Sequence, residues 1–387
     1  MSDRDLPELT DEERARYARH LILDEVGPDG QRRLKGSSVL LVGAGGLGAP
    51  AAIYLAAAGV GRLTIVDFDR VDDSNLQRQV LFTTADIGRP KVDVARERLC
   101  AINPHIDVRT IDARFDAGNG LGLVRQHDVV IDGTDNFSTR YLVNDASVLS
   151  GRPNVYGSVF RFEGQASVFD AGRGPCYRCL HPEPPPAGSV PSCVEGGVLG
   201  VLPSIVGSIQ ATEAIKLLIG RGEPLVGRLL LIDALELRFR EIAIRKVPDC
   251  PVCGDTPRIR TLEASGGGDR GAPDRRPAGE PDPFDVTPDE VAARIARGED
   301  VLLLDVRTPM EWSIVRLDGA VLIPMNEIPA RLGEIARDRA VVVYCHHGPR
   351  SSMVTRYLRE HGFPAAANLD GGIDAWSRTV DSSLPRY

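Results

Sequence analysis

The stretch Val42-Gly43-Ala44-Gly45-Gly46-Leu47-Gly48 decides how the larger part of this chain is read. It follows the apolar run Ser38-Val39-Leu40-Leu41 and fits G-x-G-x-x-G at Gly43, Gly45 and Gly48. The small-residue run APAAIYLAAAG comes next and predicts a helix. Strand, glycine turn and helix in this order let backbone N–H groups approach a phosphate at a helix N-terminus. RLTIVDFD predicts a second strand, and Asp67 then lies about 20 residues beyond the glycines, placed to accept hydrogen bonds from ribose hydroxyls. At this stage NAD and ATP are served equally well. A turn needed only for tight strand–helix packing is a third reading.

The rest of the chain bounds the choice. Its 387 residues are enough for two or three domains, with 42% hydrophobic and 26% charged residues. The formal net charge of −8 argues against nucleic acid as the main partner, because phosphate backbones need a basic footprint. The N-terminus, MSDRDLPELTDEERARYARH, is charged and lacks the apolar core of a signal peptide. The most apolar long stretch, GGVLGVLPSIVGSI, is too short to span a bilayer and contains Pro203. A cytoplasmic protein without a membrane partner is expected. Ala264 to Pro283 is rich in Gly, Pro and charge and cannot bury enough surface to offset its ordering entropy. The expected division is a large domain over 1–258, a linker over 259–283 and a small domain over 284–387.

The first part alternates strands and helices. KVDVARERLCAI predicts a helix, and DVVIDGTDN predicts a strand with polar residues at its C-terminal end. Such alternation implies an α/β fold with a Rossmann-like, mostly parallel sheet and a ligand crevice at the strands' carboxyl ends. DDSNLQRQVLF supplies Asn75, Arg78 and Gln79; GRPKVDVA supplies Lys91 at a helix start; GTDN supplies Asp135 and Asn136. Hydride transfer has no need for several cations and an acid around a phosphate chain. Attack on the α-phosphate of ATP does: cations stabilise the developing charge and a carboxylate holds Mg²⁺. Taken singly, Arg78 and Lys91 also read as solvated surface charges.

Together, RYARHLIL, VGAGGLG, VDFDRVDDSNLQRQVLF, GRPKV, INPHI, GTDNFSTRYLVND and GGVLGVLP resemble the ubiquitin-activating-enzyme-like adenylyltransferases of sulfur transfer, over about residues 10–258. The ThiF/MoeB-like members serve molybdopterin synthase and the thiamine pathway. The resemblance implies a small ubiquitin-like sulfur-carrier protein ending in Gly-Gly as substrate, its C-terminal carboxylate joined to AMP with release of pyrophosphate. It implies that Gly46 lies against the nucleotide and that Asp67 binds ribose. Ser74, Asn75 and Arg78 would surround the phosphates, Lys91 would contact them, and Asp135 would hold Mg²⁺. Arg19 would reach the γ-phosphate of a partner subunit's ATP, which implies a homodimer.

Four of the seven cysteines form two CxxC pairs, Cys176/Cys179 and Cys250/Cys253. Two such pairs can present four thiolates to one tetrahedral Zn²⁺, and Cys-Pro-x-Cys-Gly suits a zinc knuckle. A redox pair or two unrelated turns are the alternatives. The resemblance makes the metal structural. Cys100, on the helix KVDVARERLCAI, reads as a small core residue. Cys193 lies in SVPSCVEGG, a polar, Gly/Pro-flanked segment read as a loop. The resemblance matches it to the crossover-loop cysteine of sulfur-transferring relatives.

The last hundred residues carry their own signature. AVVVYCHHGPRSSMVTRYLREHG predicts a strand, Cys345, a short loop and a helix. A cysteine facing a helix N-terminus meets converging N–H groups that stabilise a thiolate or an anionic persulfide. With DVR (Asp305–Arg307) and LDGGIDAW (Leu369–Trp376), this region resembles a rhodanese domain, itself small and α/β. Arg350 lies five positions after Cys345, a loop sized for one sulfur atom and shorter than that of the related phosphatases. Pro349 departs from the pattern, since it has no N–H to donate. The two halves together resemble fused adenylyltransferase/sulfurtransferases. The expected sulfur donor is a cysteine desulfurase or thiosulfate. An NAD-dependent oxidoreductase with a redox-sensing rhodanese module, or a non-catalytic carrier-binding scaffold, are the competing readings.

Overall fold

A computed structural model describes residues 6–185, 196–263 and 283–386. They fall into two compact units, and each is treated by itself.

The first unit is built on an eight-stranded sheet. Its strands are β1 (Ser38–Val42), β2 (Arg62–Asp67), β3 (Asp107–Asp112), β4 (Val129–Asp132), β5 (Asn154–Phe160), β6 (Glu163–Phe169), β7 (Arg228–Asp233) and β8 (Arg238–Ala243). Their spatial order is β3-β2-β1-β4-β5-β6-β7-β8. The pairings from β3 to β5 are parallel and those from β5 to β8 antiparallel. β1 reads as a continuous apolar run because both its faces are covered, the usual state of a parallel sheet. Val39 and Leu41 enter one core cluster, with residues of the helices Gly48–Ala58, Lys91–Ile102 and Leu202–Ile219. Leu40 and Val42 enter a second, with Val124, Leu142 and Val143 from the helices Gly120–Arg125 and Phe137–Ser150. The chain leaves β1 for β2 on one side and reaches β4 on the other. The crevice at the carboxyl ends of β1 and β4 is therefore the topological switch point where α/β sheets bind ligands.

Leu202–Ile219 is the one described helix long and apolar enough to cross a membrane. Here it packs on β5, β6 and the helix Gly48–Ala58. Pro203 sits in its first turn, where a missing N–H costs nothing, and Gly220 ends it with φ of 68°. Gly207 permits the helix contact: a Cβ there would lie 2.5 Å from the Leu47 carbonyl oxygen and 2.6 Å from Pro50. Burying Leu202 and Val206 contributes about 1.5–3 kcal/mol each, and Gly207→Val would force the two helices apart.

The second unit has a parallel five-stranded sheet of β9 (Asp285–Val286), β10 (Val301–Asp305), β11 (Val321–Leu322), β12 (Ala340–Tyr344) and β13 (Ala367–Leu369), in the order β11-β10-β12-β13-β9. Side chains of β12 alternate between two cores: Val341, Val343 and then Cys345 in one, Val342 and Tyr344 in the other. Cys345 thus continues the strand's period of two and is aimed at the helix that follows, Pro349–Glu360.

Candidate active sites and metal cluster

The three fingerprint glycines have different duties. Gly43 has φ of 96°, and a Cβ there would lie 2.8 Å from the Gly133 carbonyl oxygen. A Cβ on Gly48 would collide with the Gly43 carbonyl. These two serve tight packing of strand, turn and helix. Gly45 is different, because a Cβ there meets only the Gln79 amide nitrogen, at 3.6 Å. That open face belongs to the crevice. Gly46 is packed by Pro203 and lies near Arg78 Cγ. The N-cap residue of the helix Gly48–Ala58 is Leu47, whose side chain makes no capping bond. The helix start is left as a backbone cradle for an anion.

Asp67 ends β2, two residues before the end of the expected strand RLTIVDFD. Its Oδ2 accepts from the Ala44 N–H (2.7 Å) and its Oδ1 from the Asp69 N–H (2.8 Å), which locks the carboxylate beside the glycine turn. Burial pushes its pKa up, against the nearby charge of Lys91. Lys91 is not a solvated surface charge. It is 4% exposed, and Nζ lies 2.9 Å from Asp69 Oδ2. A buried ammonium held at the crevice by Asp69, with the charge of Asp67 nearby, suits a polyphosphate; Asp69 is the partner that sequence reading missed. Arg78 is half-buried and donates from Nη1 to the Ser74 carbonyl (2.9 Å), so Ser74 and Arg78 share one turn. Asn75 lies in that turn too, with Nδ2 3.5 Å from Ser74 Oγ. Gln79 is 5% exposed, and its Oε1 has no hydrogen-bond partner among the described residues.

Asp135 is exposed just past β4 and makes no hydrogen bond or ion pair to a described residue. A free hard-oxygen ligand at the rim of a phosphate crevice fits Mg²⁺, which takes one or two carboxylates plus phosphate oxygens. Asn136 has another job. Its Oδ1 accepts from the Thr139 N–H (2.9 Å), capping the helix Phe137–Ser150, so a cofactor contact is left to its amide nitrogen or backbone. Arg19 is exposed on the short helix Ala18–Leu21, beside exposed Ile22 and Leu23.

Cys176, Cys179, Cys250 and Cys253 converge, with their sulfurs all within 4.8 Å of one another. Cys176 Sγ is 3.5 Å from Cys250 Sγ, and Cys179 Sγ is 3.4 Å from Cys253 Sγ. These are free thiols. Two knuckles hold them: the Cys179 N–H bonds to the Cys176 carbonyl, and the Gly254 N–H to the Cys250 carbonyl. A Cβ on Gly254 would collide with the Pro248 carbonyl, so the turn requires glycine. Mutual hydrogen bonds draw the Cys179 thiol pKa down and push the Cys176 thiol up, and Cys253 is raised as well. Four convergent sulfurs, buried or half-buried, fit a closed tetrahedral Zn²⁺ site. Elemental analysis of the native protein is expected to give one zinc per chain. Stripping it should unfold this region, because structural zinc contributes on the order of 10 kcal/mol to folding.

Cys100 departs from expectation. It is exposed at the end of the helix Lys91–Ile102, whose core face is carried by Val92, Ala95 and Leu99. Cys193 lies outside the described residues.

In the second unit Cys345 Sγ is 1% exposed and accepts from the Gly348 N–H (3.1 Å) and from Ser351 Oγ (3.4 Å). Gly348 has φ of 103°, which lets its N–H turn back to the sulfur. Pro349 proves to be the first residue of the helix Pro349–Glu360, so its ring occupies a helix-starting position rather than breaking the loop. Ser351 was not singled out from sequence. Arg350 is paired with Glu311 at 2.9 and 2.6 Å. Burial acts to raise the Glu311 carboxyl; the Arg350 hydrogen bonds and charge outweigh it and bring the pKa to about 2. Glu311 also closes a capping box with Thr308, a T-x-x-E signal visible in RTPME. Asp305 and Arg307 form a fully buried ion pair (2.6 Å). LDGGIDAW serves the loop: Ile373 N–H bonds to the Cys345 carbonyl, and a Cβ on Gly372 would collide with the His346 carbonyl. Burial, then the neighbouring His347, lowers His346 to about 4, so it is neutral at pH 7. His346 and His347 lie near Asp374, but Arg378 and Arg386 already hold both oxygens of that carboxylate. We read this as an ionic cluster bracing the loop rather than a metal site.

The fold and these sites define a two-unit α/β protein that joins a nucleotide cradle to a rhodanese-type cysteine loop. The chain belongs to the ThiF family, whose pattern matches residues 17–252, and a rhodanese-like domain matches residues 287–379. It is 50% identical to the probable adenylyltransferase/sulfurtransferase MoeZ of Mycobacterium tuberculosis, over 98% of this chain and 96% of that protein. It is 56% identical to the sulfur carrier protein adenylyltransferase of Thermus thermophilus, over 65% of this chain and 95% of that protein. It is 42% identical to adenylyltransferase and sulfurtransferase MOCS3 of Anopheles gambiae, over 99% and 90%. Among solved structures, Escherichia coli MccB is similar in fold, with a TM-score of 0.57 over 64% of this chain and 75% of that one, at 23% identity.

Proposed function

We propose that this protein adenylates the C-terminal Gly-Gly carboxylate of a small ubiquitin-like sulfur-carrier protein and then delivers sulfur to it from a Cys345 persulfide, giving a thiocarboxylate. The observation that carries the reading is the pairing, in one chain, of an open Gly45 face flanked by Asp67, Arg78, Lys91 and Asp135 with a cysteine that heads a short anion-binding loop. The named relatives support both activities.

ATP fits the cradle: Asp67 beside the glycine turn for ribose, backbone and Lys91 for phosphates, Arg78 and Asn75 over the Gly46 side. Mg²⁺ held by Asp135 would offset the negative charge of the phosphates. The carrier carboxylate attacks the α-phosphate, and pyrophosphate leaves. The terminal sulfur of the Cys345 persulfide then attacks the acyl carbon, and AMP leaves. A second thiol, assigned to Cys193, cleaves the resulting acyl disulfide to free the thiocarboxylate, leaving a disulfide for a cellular thiol to reduce. Zn²⁺ in the four-cysteine cluster is structural. A cysteine desulfurase or thiosulfate charges Cys345. Mass spectrometry of candidate carriers incubated with the protein, ATP and a sulfur source tests the whole: AMP and pyrophosphate release with a gain of one sulfur for oxygen supports it. Reduction of NAD without AMP release overturns it.

We also assign Arg19 a role in trans, within a homodimer. Exposed Ile22, Leu23 and Tyr54, and an apolar cleft between the helices Gly48–Ala58 and Leu202–Ile219, offer a face for a second copy. Mixing Arg19→Ala with Asp135→Ala chains is expected to restore one working site per heterodimer. Verified subunit exchange without recovered pyrophosphate exchange would show that Arg19 does not act across an interface.

A further inference from the structure

We infer that the buried pair Asp132–Arg140 is a positioning device for Asp135; this rests on the proposed role of Asp135 as the Mg²⁺ ligand. Asp132 ends β4 and is 0% exposed, and Arg140 is 6% exposed. Their closest atoms, Asp132 Oδ2 and Arg140 Nε, lie 3.6 Å apart, and neither makes a hydrogen bond among the described residues. The pair is thus loosely matched internally; both members bond the Thr134 between them, and Arg140 also reaches Ser158 Oγ (3.3 Å) and the Gly157 carbonyl (3.4 Å) of β5. Asp132 Oδ1 accepts from the Thr134 N–H (3.1 Å) and from Thr134 Oγ1 (2.6 Å). Arg140 Nη2 donates to the Thr134 carbonyl (3.0 Å).

Every polar group of Thr134 is therefore held. Its carbonyl shares a peptide plane with the Asp135 nitrogen, so the guanidinium fixes the plane from which Asp135 projects. The far side is fixed as well, since Asn136 caps the helix that carries Arg140 one turn later. The near side is fixed by contact: a Cβ on Gly133 would lie 3.0 Å from the Gly43 carbonyl oxygen, so this turn packs directly on the phosphate cradle. Gln210 completes the node from the helix Leu202–Ile219, donating to the carbonyls of Asp132 (2.8 Å) and Val155 (3.0 Å). Burial raises the Asp132 pKa against the pull of Arg140.

A side chain that orients a metal ligand typically sets metal affinity by about 10–100-fold. The test is a titration of the full-length protein saturated with ATP by Mn²⁺, a Mg²⁺ surrogate whose free ion is read by electron paramagnetic resonance. Arg140→Lys keeps the charge but loses the planar fork. It is expected to weaken Mn²⁺ binding by roughly tenfold or more while leaving metal-free ATP affinity unchanged. Thr134→Val, which leaves the ion pair intact and removes only the hydroxyl bond, should shift Mn²⁺ binding in the same direction by a smaller factor. Unchanged Mn²⁺ affinity in a folded Arg140→Lys protein overturns the inference. So does equal loss of ATP and Mn²⁺ affinity, which would mean a collapsed crevice. If Arg140→Lys does not fold, Thr134→Val alone decides, and wild-type Mn²⁺ affinity in it is the overturning result. Asp135→Asn separates the two readings: if it too leaves Mn²⁺ affinity unchanged, the metal assignment itself fails.

Discussion

Cys345→Ala is expected to leave carrier adenylation at the wild-type rate and to abolish thiocarboxylate formation whenever sulfur must arrive through a persulfide. The change removes one buried atom. Its stability cost should be about 1 kcal/mol, the centre of the range for point mutants, so the second unit stays folded. What it removes chemically is the only sulfur in the loop. Cys345 Sγ takes hydrogen bonds from the Gly348 N–H and Ser351 Oγ at the start of a twelve-residue helix, the donors that a persulfide anion would meet. Pro349 withholds one N–H, yet the Ser351 hydroxyl supplies a second donor, so the anion keeps two partners. Inorganic sulfide attacks the acyl-adenylate directly and should partly restore product in the variant. Absence of any added sulfur mass on wild-type Cys345 after exposure to thiosulfate or a persulfide donor would reduce this unit to a docking module.

Much of this was legible in sequence because the signals were local. β1, the glycine turn, the helix after it, β2 and Asp67 lie in one contiguous run, and each local preference agrees with the sheet around it. The two CxxC pairs were legible for another reason: thiol chemistry leaves few uses for that spacing, although 74 residues separate the partners that the fold brings together. The antiparallel half of the sheet was not legible. β8, RFREIA, is exposed along its length, so it carries no buried alternation to read. Cys100 was misjudged because a helix turns its last residues outward by phase, and Leu99 beside it takes the core position. Lys91 could not be told from a surface lysine until Asp69 was seen across from it. Asp132 and Arg140 were invisible as a pair, being eight positions apart on a strand end and a helix that only the fold brings together. The roles of the site residues still rest on chemistry, which is why removing their side chains is the informative experiment.

Asp135→Ala is expected to lower ATP–pyrophosphate exchange by about 10²–10³, the usual cost of removing one group that stabilises transition-state charge. The fold should not notice. Asp135 is exposed and makes no hydrogen bond or ion pair to a described residue, and a change at such a position normally moves stability by about 0.5 kcal/mol or less. A large loss of rate with an unchanged melting temperature is therefore the signature sought. The size of the effect follows from what remains. Lys91 and Arg78, the proposed phosphate contacts, are untouched by the change, and the glycine turn still offers its amides, so binding of ATP should survive. What is lost is the fixed anchor for the cation. Asp135 would hold Mg²⁺ where it offsets the charge of the phosphates, and without that carboxylate the charge developing on attack would be less well compensated. Raising Mg²⁺ should recover only part of the rate, because occupancy returns but orientation does not. Exchange at the wild-type rate in a folded Asp135→Ala protein would remove Asp135 from the reaction.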